Sequence, residues 1–377
     1  MIPDIPEELI PLTRFRTMRS ASPIHAEGPN SPVHIYKYED AKAVLSDHER
    51  FSSQFRSAPS EEEPIESTVL RVDPPRHRQL RSLVTRAFTP AAVEAMRPLI
   101  QSTAQELLDK AQSQGTIDAV SEWAAPLPVI VIAEMLGIPR EDRKQFKAWS
   151  DELVGNDWER FMRCQREMAA YFAKIAEKRK QEPRNDLISR LVAVNADDGQ
   201  LSAVELIGFC MLLLVAGNET TTNLISSALL CLDSLPDERE RAAAEPERVP
   251  RMLEEVLRYC SPVQTVFRRV ARNTELRGRR LTAGQHVHVW IGSANHDEDV
   301  FDQPHLFDAS RDPNPHLSFG HGIHYCLGAL LARLEADIAI RMWLERFPRF
   351  ARDRTIRLER LDSGFVFGVK QLPIRLS

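Results

Sequence analysis

The stretch Phe319-Gly-His-Gly-Ile-His-Tyr-Cys326-Leu-Gly-Ala-Leu-Leu-Ala-Arg-Leu-Glu335 decides how this chain is read. Gly320 and Gly322 form a loop in which the backbone can adopt positive φ and come close to a flat ligand. That loop delivers Cys326 to the start of an apolar stripe. Leu327, Leu331, Leu334, Ile338 and Met342 recur at spacings of 4, 3, 4 and 4, which predicts a helix over residues 327–347 stopped by Pro348. A cysteine at a helix N-terminus has its thiolate stabilised by unpaired amides and the helix dipole.

On the residues alone, three readings of Cys326 are open. A single thiolate ligand to haem iron donates electron density and favours O–O cleavage. A buried free cysteine is the plain alternative. Zinc is the third, because seven of the eleven histidines lie between His286 and His324, with His321, His324 and Cys326 close together. The HxxHxC pattern lacks the paired spacings of structural zinc sites and offers no fourth ligand. A zinc-site hydrolase or structural module is therefore the remote alternative.

Outward from the loop, the 377 residues are 43% hydrophobic and 27% charged, enough apolar mass for a large buried core. The net charge of −5 excludes a general polyanion binder, and 7% aromatics argue against stacking on single-stranded nucleic acid. Five cysteines, widely spaced and with no CxxC, argue for a reducing cytoplasm and against a disulfide framework. The opening MIPDIPEELIPLTRFRTMRS carries no signal-peptide pattern. No strand–GxGxxG–helix fingerprint occurs.

Between Leu206 and Leu232 only Glu219 is charged. A bilayer span would bury that acid beside Asn218, Thr220, Thr221, Thr222 and Asn223, at a cost of several kcal/mol. The central helix of a large soluble protein fits better, with no membrane role. Glu219 followed by Thr220 is expected to interrupt that helix locally and to hold water.

Elsewhere, Val33–Tyr38 reads as a strand and Glu39–Leu45 as a helix. The polar span Ser57–Glu66, with Glu61, Glu62 and Glu63 in a row, reads as an exposed loop. Helical patterning fills residues 74–260, and Pro74-Pro75 suit a helix start. His77 and Arg81 then project from one helix face. Residues 263–290 carry strand and turn signals at Arg277-Gly278 and Ala283-Gly284, followed by the alternating His286–Trp290. A proline-punctuated loop runs to Ser318, and the tail holds a β-like Phe365–Val369. The fold class is mainly α with a minor β-sheet component.

The quoted stretch matches, in the order Phe, Gly, x, Gly, x, His, x, Cys, x, Gly, the haem-binding signature of the cytochrome P450 family, and the whole chain resembles its short soluble prokaryotic members. The resemblance implies one P450 domain over 1–377, with β-containing portions near 30–60, 263–290 and 355–377, helices over 74–260 and 327–347, and a long central helix over the haem. It implies heme b (iron protoporphyrin IX) as cofactor, with Cys326 the proximal iron ligand, Phe319 beside it and His324 bonding a propionate. Ala216-Gly-Asn-Glu-Thr-Thr221 resembles the oxygen-activating motif, which makes Glu219 and Thr220 the proton-delivering catalytic residues. Asp73–Arg81 looks like the propionate-binding helix, with His77 and Arg81 as its ligands. Arg268 matches a further propionate arginine, although Arg269 is adjacent.

Glu-x-x-Arg occurs four times, as Glu94/Arg97, Glu238/Arg241, Glu245/Arg248 and Glu255/Arg258. Three read as surface pairs. The fourth precedes Tyr259-Cys-Ser-Pro262, as in the family, and implies a buried structural ion pair with Arg311. Ala294-Asn-His-Asp297 departs from the family's Asn-Arg-Asp, which puts a local loop contact at His296 in doubt.

The implied activity is a haem-thiolate monooxygenase that uses O2 to hydroxylate a small apolar substrate such as a fatty acid, terpenoid or steroid. Electrons come from a separate ferredoxin-type donor with an NAD(P)H-dependent reductase. The alternative is an H2O2-driven peroxygenase, against which the acid–hydroxyl pair argues. Expected pocket walls are Leu213, Ala216, Gly217, Gln264, Thr265 and Val266. A cytoplasmic monomer is expected.

Overall fold

The axis of the fold is the 32-residue helix Ala203–Ser234, opened by a capping box between Ser202 and Glu205. The computed structural model describes residue 2 and residues 5–28, 31–56, 63–154, 157–198 and 201–376. From Thr221 to Ser234 every residue of the central helix is buried, as a helix ringed by others requires. Around it pack the helices Pro126–Leu136, Arg143–Val154, Trp158–Gln181, Val249–Cys260 and Ala329–Arg346. Two helical stretches of the described residues, Ala119–Leu136 and Ala203–Ser234, are long and apolar enough to cross a membrane. Both are enclosed here by other elements of the fold.

The expected interruption of the central helix is absent: the helix runs unbroken through Asn218–Asn223. Thr220 Oγ1 donates to Ala216 O at 2.7 Å, so the hydroxyl is satisfied within its own turn and the ladder survives.

A five-stranded sheet stands beside the helices, in the order Ile24–His25, Val33–Ile35, His286–Trp290, Thr265–Val270, Phe51–Ser52. Only the Val33–Ile35/His286–Trp290 pair is parallel. The turn Arg277-Gly278, with φ of 47° and 74°, joins the hairpin Thr274–Leu276/Arg279–Leu281 as its sequence predicted.

Several boundaries differ from expectation. The strand expected over Val33–Tyr38 stops at Ile35, and the helix after it spans Tyr38–Ser46. Within the expected helical portion, Thr116–Asp118 is a strand, too short to show a period and recruited by Pro373–Arg375. Phe365–Val369 makes only isolated bridges, Val263 to Val366 and Arg360 to Val369.

Of the polar span 57–66, residues 57–62 lie outside the described residues. Glu63 is buried and paired with Arg56. Pro64–Ser67 forms a 3₁₀ turn packed on the central helix rather than an exposed loop. Gly208 makes room for it, since a Cβ there would stand 2.1 Å from Pro64 O.

Candidate functional site

The cysteine loop is fixed from both sides. Cys326 N donates to Phe319 O at 2.8 Å and Tyr325 N to Gly322 O at 3.1 Å. Gly320 and Gly322 have φ of 74° and 71°. At Gly322 a Cβ would lie 2.7 Å from Leu45 O, so only glycine lets the loop pass the neighbouring helix. The last helix starts at Ala329, two residues later than expected. Cys326 therefore precedes the helix, and the Gly328 amide reaches back to its thiol. The Cys326 side chain is accessible, unlike those of the other four cysteines, which are buried. Desolvation by the surrounding protein pushes the Cys326 thiol up, whereas the Gly328 amide, Arg81 and Arg333 pull it down.

Four cationic or ionisable side chains gather near it. His77 and Arg81 are one turn apart on the helix Arg76–Thr85. The His77 ring meets that of His324 edge-on, 4.5 Å between centroids. Both ring nitrogens of His77 are buried without a partner. His324 keeps Nδ1 3.1 Å from Val69 O, while its Nε2 has no partner. Burial lowers His77 to about 4 and His324 to about 3. Arg268 is buried in the strand Thr265–Val270, bonds to its neighbour's carbonyl Phe267 O at 2.8 Å, and is lowered by burial to about 10. Arg81 Nη2 donates to Tyr325 O at 2.7 Å. Among the described residues, neither Arg81 nor Arg268 pairs with a carboxylate. Arg269, the rival, instead donates to Gln54 O at 3.1 Å.

A cluster of buried donors without an anion is costly unless a ligand supplies one. Two carboxylates on a flat apolar group beside an accessible thiol meet that need, so these residues fit haem b. An open cleft of about 560 Å³, lined by His77, Arg78, Arg81, Thr85, Arg86 and Gly322 among others, adjoins the cluster.

In the middle of the central helix, Ala216 is exposed and Thr220 half-buried although the helix is enclosed, so this strip faces an internal space, whereas Gly217 turns to Ile132, 3.0 Å from where its Cβ would stand. Glu219 is buried beside that strip. Val266 is half-buried, but Leu213, Gln264 and Thr265 are covered. The Gln264 amide donates to Cys260 O and Ser261 O, both at 2.8 Å, and staples the turn at Ser261 instead of forming a pocket wall.

The zinc reading fails. Among the described residues no three His, Cys, Asp or Glu side chains could hold a metal ion, because His324 turns to Val69 and His77.

Glu255 and Arg258 are buried and paired at 2.7 Å, with Arg311 3.3 Å from Glu255. The other three Glu-x-x-Arg pairs lie at the surface. At the departure from the family pattern the loop is well tied. Asn295 bonds Ser261, Leu317 and Ser318, and the buried His296 ring packs on Tyr259 with centroids 5.2 Å apart.

Two features escaped the sequence reading. One is the Val69 carbonyl that orients His324. The other is the pairing of Arg333 with Glu254, 79 residues away, which no local pattern signals.

Comparison with known proteins agrees with this geometry. The family model described as Cytochrome P450 matches residues 24–136 and 131–376. The putative cytochrome P450 YjiB of Bacillus subtilis is 40% identical, over 97% of this chain and 94% of its own. The erythromycin C-12 hydroxylase of Saccharopolyspora erythraea is 36% identical over 99% of this chain and 96% of its own. The crystal structure of CYP109E1 from Bacillus megaterium with testosterone superposes with a TM-score of 0.94 at 39% identity, covering 98% of this chain and 99% of that one.

Proposed function

Because the chain belongs to the cytochrome P450 family, an oxidoreductase family of haem b monooxygenases, we propose that Cys326 holds the haem iron and that His77, Arg81, Arg268 and His324 bind the propionates. The single observation that carries this reading is the convergence of an accessible thiol with buried donors that lack an anion. Bound haem b supplies the chemistry: activation of O2 with two electrons and two protons, and insertion of one oxygen atom into a substrate C–H bond.

The chain's own residues bind, orient and shield. Burial raises the Cys326 thiol on balance, and the Gly328 amide and Arg81 work against it, favouring the anionic sulfur that ligates. Phe319 braces the loop, its carbonyl accepting the Cys326 amide at 2.8 Å. Thr220 and Glu219 hold and pass protons from the middle of the central helix, Thr220 from its half-exposed Oγ1 and Glu219 from the buried carboxyl behind it. Ala216 and Val266 leave a small-residue, apolar wall suited to a fatty acid, terpenoid or steroid. Binding of testosterone by CYP109E1 makes a steroid-like substrate the first to try.

Electrons come from a separate acidic ferredoxin-type protein with its NAD(P)H-dependent reductase. The exposed Arg78 and Arg86 on the cleft beside the cysteine loop support that choice. All five cysteines are free, which supports a cytoplasmic setting. The whole chain acts as one P450 domain.

The test is the carbon-monoxide complex of the reduced protein. It should show the red-shifted Soret band of thiolate ligation, and Cys326→Ser should abolish it. Retention of the band would move the ligand to another cysteine. Thr220→Ala and Glu219→Gln should keep that band and the substrate-induced spectral shift. In both variants NAD(P)H should be consumed with H2O2 replacing product, since such proton-transfer groups contribute about 10²–10⁴-fold. An unchanged ratio of product to NAD(P)H would remove the pair from proton delivery and reopen the peroxygenase alternative.

A further inference from the structure

The cysteine signature contains a cation to which the proposed reaction assigns no role. The Arg333 guanidinium lies over the Phe319 ring, 4.4 Å from its centroid. Its Nε and Nη2 clamp the two carboxylate oxygens of Glu254 at 2.7 and 2.8 Å. Glu254 Oε2 also meets His316 Nε2 at 3.0 Å, and the His316 ring stands 6.1 Å from Phe319. Arg333 Nη1 lies 3.5 Å from the Tyr325 hydroxyl. Burial alone would raise Glu254, but Arg333 and His316 hold it at about 2, so the pair stays ionised.

Four side chains thus close a ring around Phe319, whose carbonyl accepts the Cys326 amide. Arg333 also favours the anionic Cys326 sulfur, against the burial that raises the thiol on balance. A guanidinium stacked on an aromatic face is attracted to it, which helps fix the orientation of both groups.

Resting on the assignment of Cys326 as iron ligand, we propose that Arg333, oriented by Glu254, is a positioning residue that sets how strongly the Cys326 sulfur donates to the iron, and so the potential at which the enzyme accepts its first electron. A cation beside the sulfur holds electron density there and eases reduction of the ferric iron by one electron. The Glu254 carboxylate partly cancels that cation and keeps it over the ring. The two partners therefore act on the potential with opposite signs, which a packing role does not.

The experiment poises the haem-loaded, full-length protein and its variants against one-electron mediator dyes, with no partner protein present. Arg333→Gln should lower the ferrous-to-ferric ratio at a fixed dye potential by about three- to tenfold, tenfold being ~59 mV for one electron. Glu254→Gln should raise the ratio, because the cation is then uncompensated. Arg333→Lys should recover part of the loss. Haem content and the carbon-monoxide band establish that each variant is loaded. Shifts of the same sign in both Gln variants, or an unchanged ratio in Arg333→Gln, would overturn the inference. A wild-type protein without the thiolate band would overturn the cysteine assignment and this inference with it.

Discussion

Glu255 and His77 each sit in a buried cluster rich in arginine, but the two clusters close differently. Around Glu255 every charge is answered. Arg258 spends all five N–H groups, on both Glu255 oxygens and on the carbonyls of Asn295, Pro304 and Leu306. Glu255 in turn accepts from the Asp308 amide at 2.9 Å and from Asn314 at 3.1 Å, with Arg311 beside it. Around His77 the cluster has donors, Arg81, Arg268 and a second histidine, but no paired carboxylate, and three ring nitrogens lack a partner. A charge cluster complete in itself is part of the scaffold. One that lacks its anion is a binding site.

The largest effect expected from this contrast lies on the complete side. Glu255→Ala strands a fully buried guanidinium, and breaking such a pair typically costs about 3–5 kcal/mol. The variant should unfold at much lower denaturant concentration, or fail to accumulate as soluble protein, whether or not haem is supplied. Glu94→Ala, at an exposed pair of the same sequence spacing, should leave the midpoint within error of wild type. If the two variants behaved alike, the buried cluster would not be scaffold.

That pair also marks what the sequence can and cannot tell. Glu-x-x-Arg is the same text at four places, and only the Tyr259-Cys-Ser-Pro262 context singles out the buried one. The cysteine loop was legible because its function is encoded locally, in glycines that must turn and in a stripe with helical period. The central helix was legible from its apolar length, yet its continuity through Asn218–Asn223 was not, because Thr220 is absorbed by a bond inside its own turn. Gln264 was misread as pocket wall, since a polar residue after a proline gives no hint that its amide will staple the preceding helix end. The residues bracketing Phe319, Arg333 and His316, are both tied to Glu254, 79 and 62 residues away, and contacts at that separation leave no local trace.

On the incomplete side, a smaller and different effect is expected. His77→Ala with Arg81→Ala should leave the fold intact and weaken haem retention, because two carboxylates lose charge-assisted bonds worth about 1.5–3 kcal/mol each. The measurement is haem transfer to an apo-globin acceptor, read beside the denaturant midpoint of the haem-free protein. Faster transfer with an unchanged midpoint sharpens the contrast. A midpoint that falls as far as in Glu255→Ala erases it.

The smallest effect is one of pH, and it tests whether the missing partner is an anion. Burial holds His77 at about 4 and His324 at about 3, below the unfolded value of about 6.5. Between those limits the unfolded chain binds more protons than the folded one, so stability is full above pH ~6.5 and is lost as pH falls below it. His288, lowered to about 4 in the sheet by burial and by His34 and His286, contributes the same slope but lies apart from the cluster. Carboxylates placed against His77 and His324 favour their charged forms and raise both values, which removes their share of the slope and leaves that of His288 and of His34 and His296, which burial also lowers. Thermal midpoints from pH 7 to pH 5 should therefore fall more steeply for haem-free than for haem-loaded protein, and His288→Gln should flatten both curves by the same amount. Parallel curves in the two forms would mean that the group bound there brings no negative charge to His77 and His324, and the cluster would have to be completed by something other than a carboxylate.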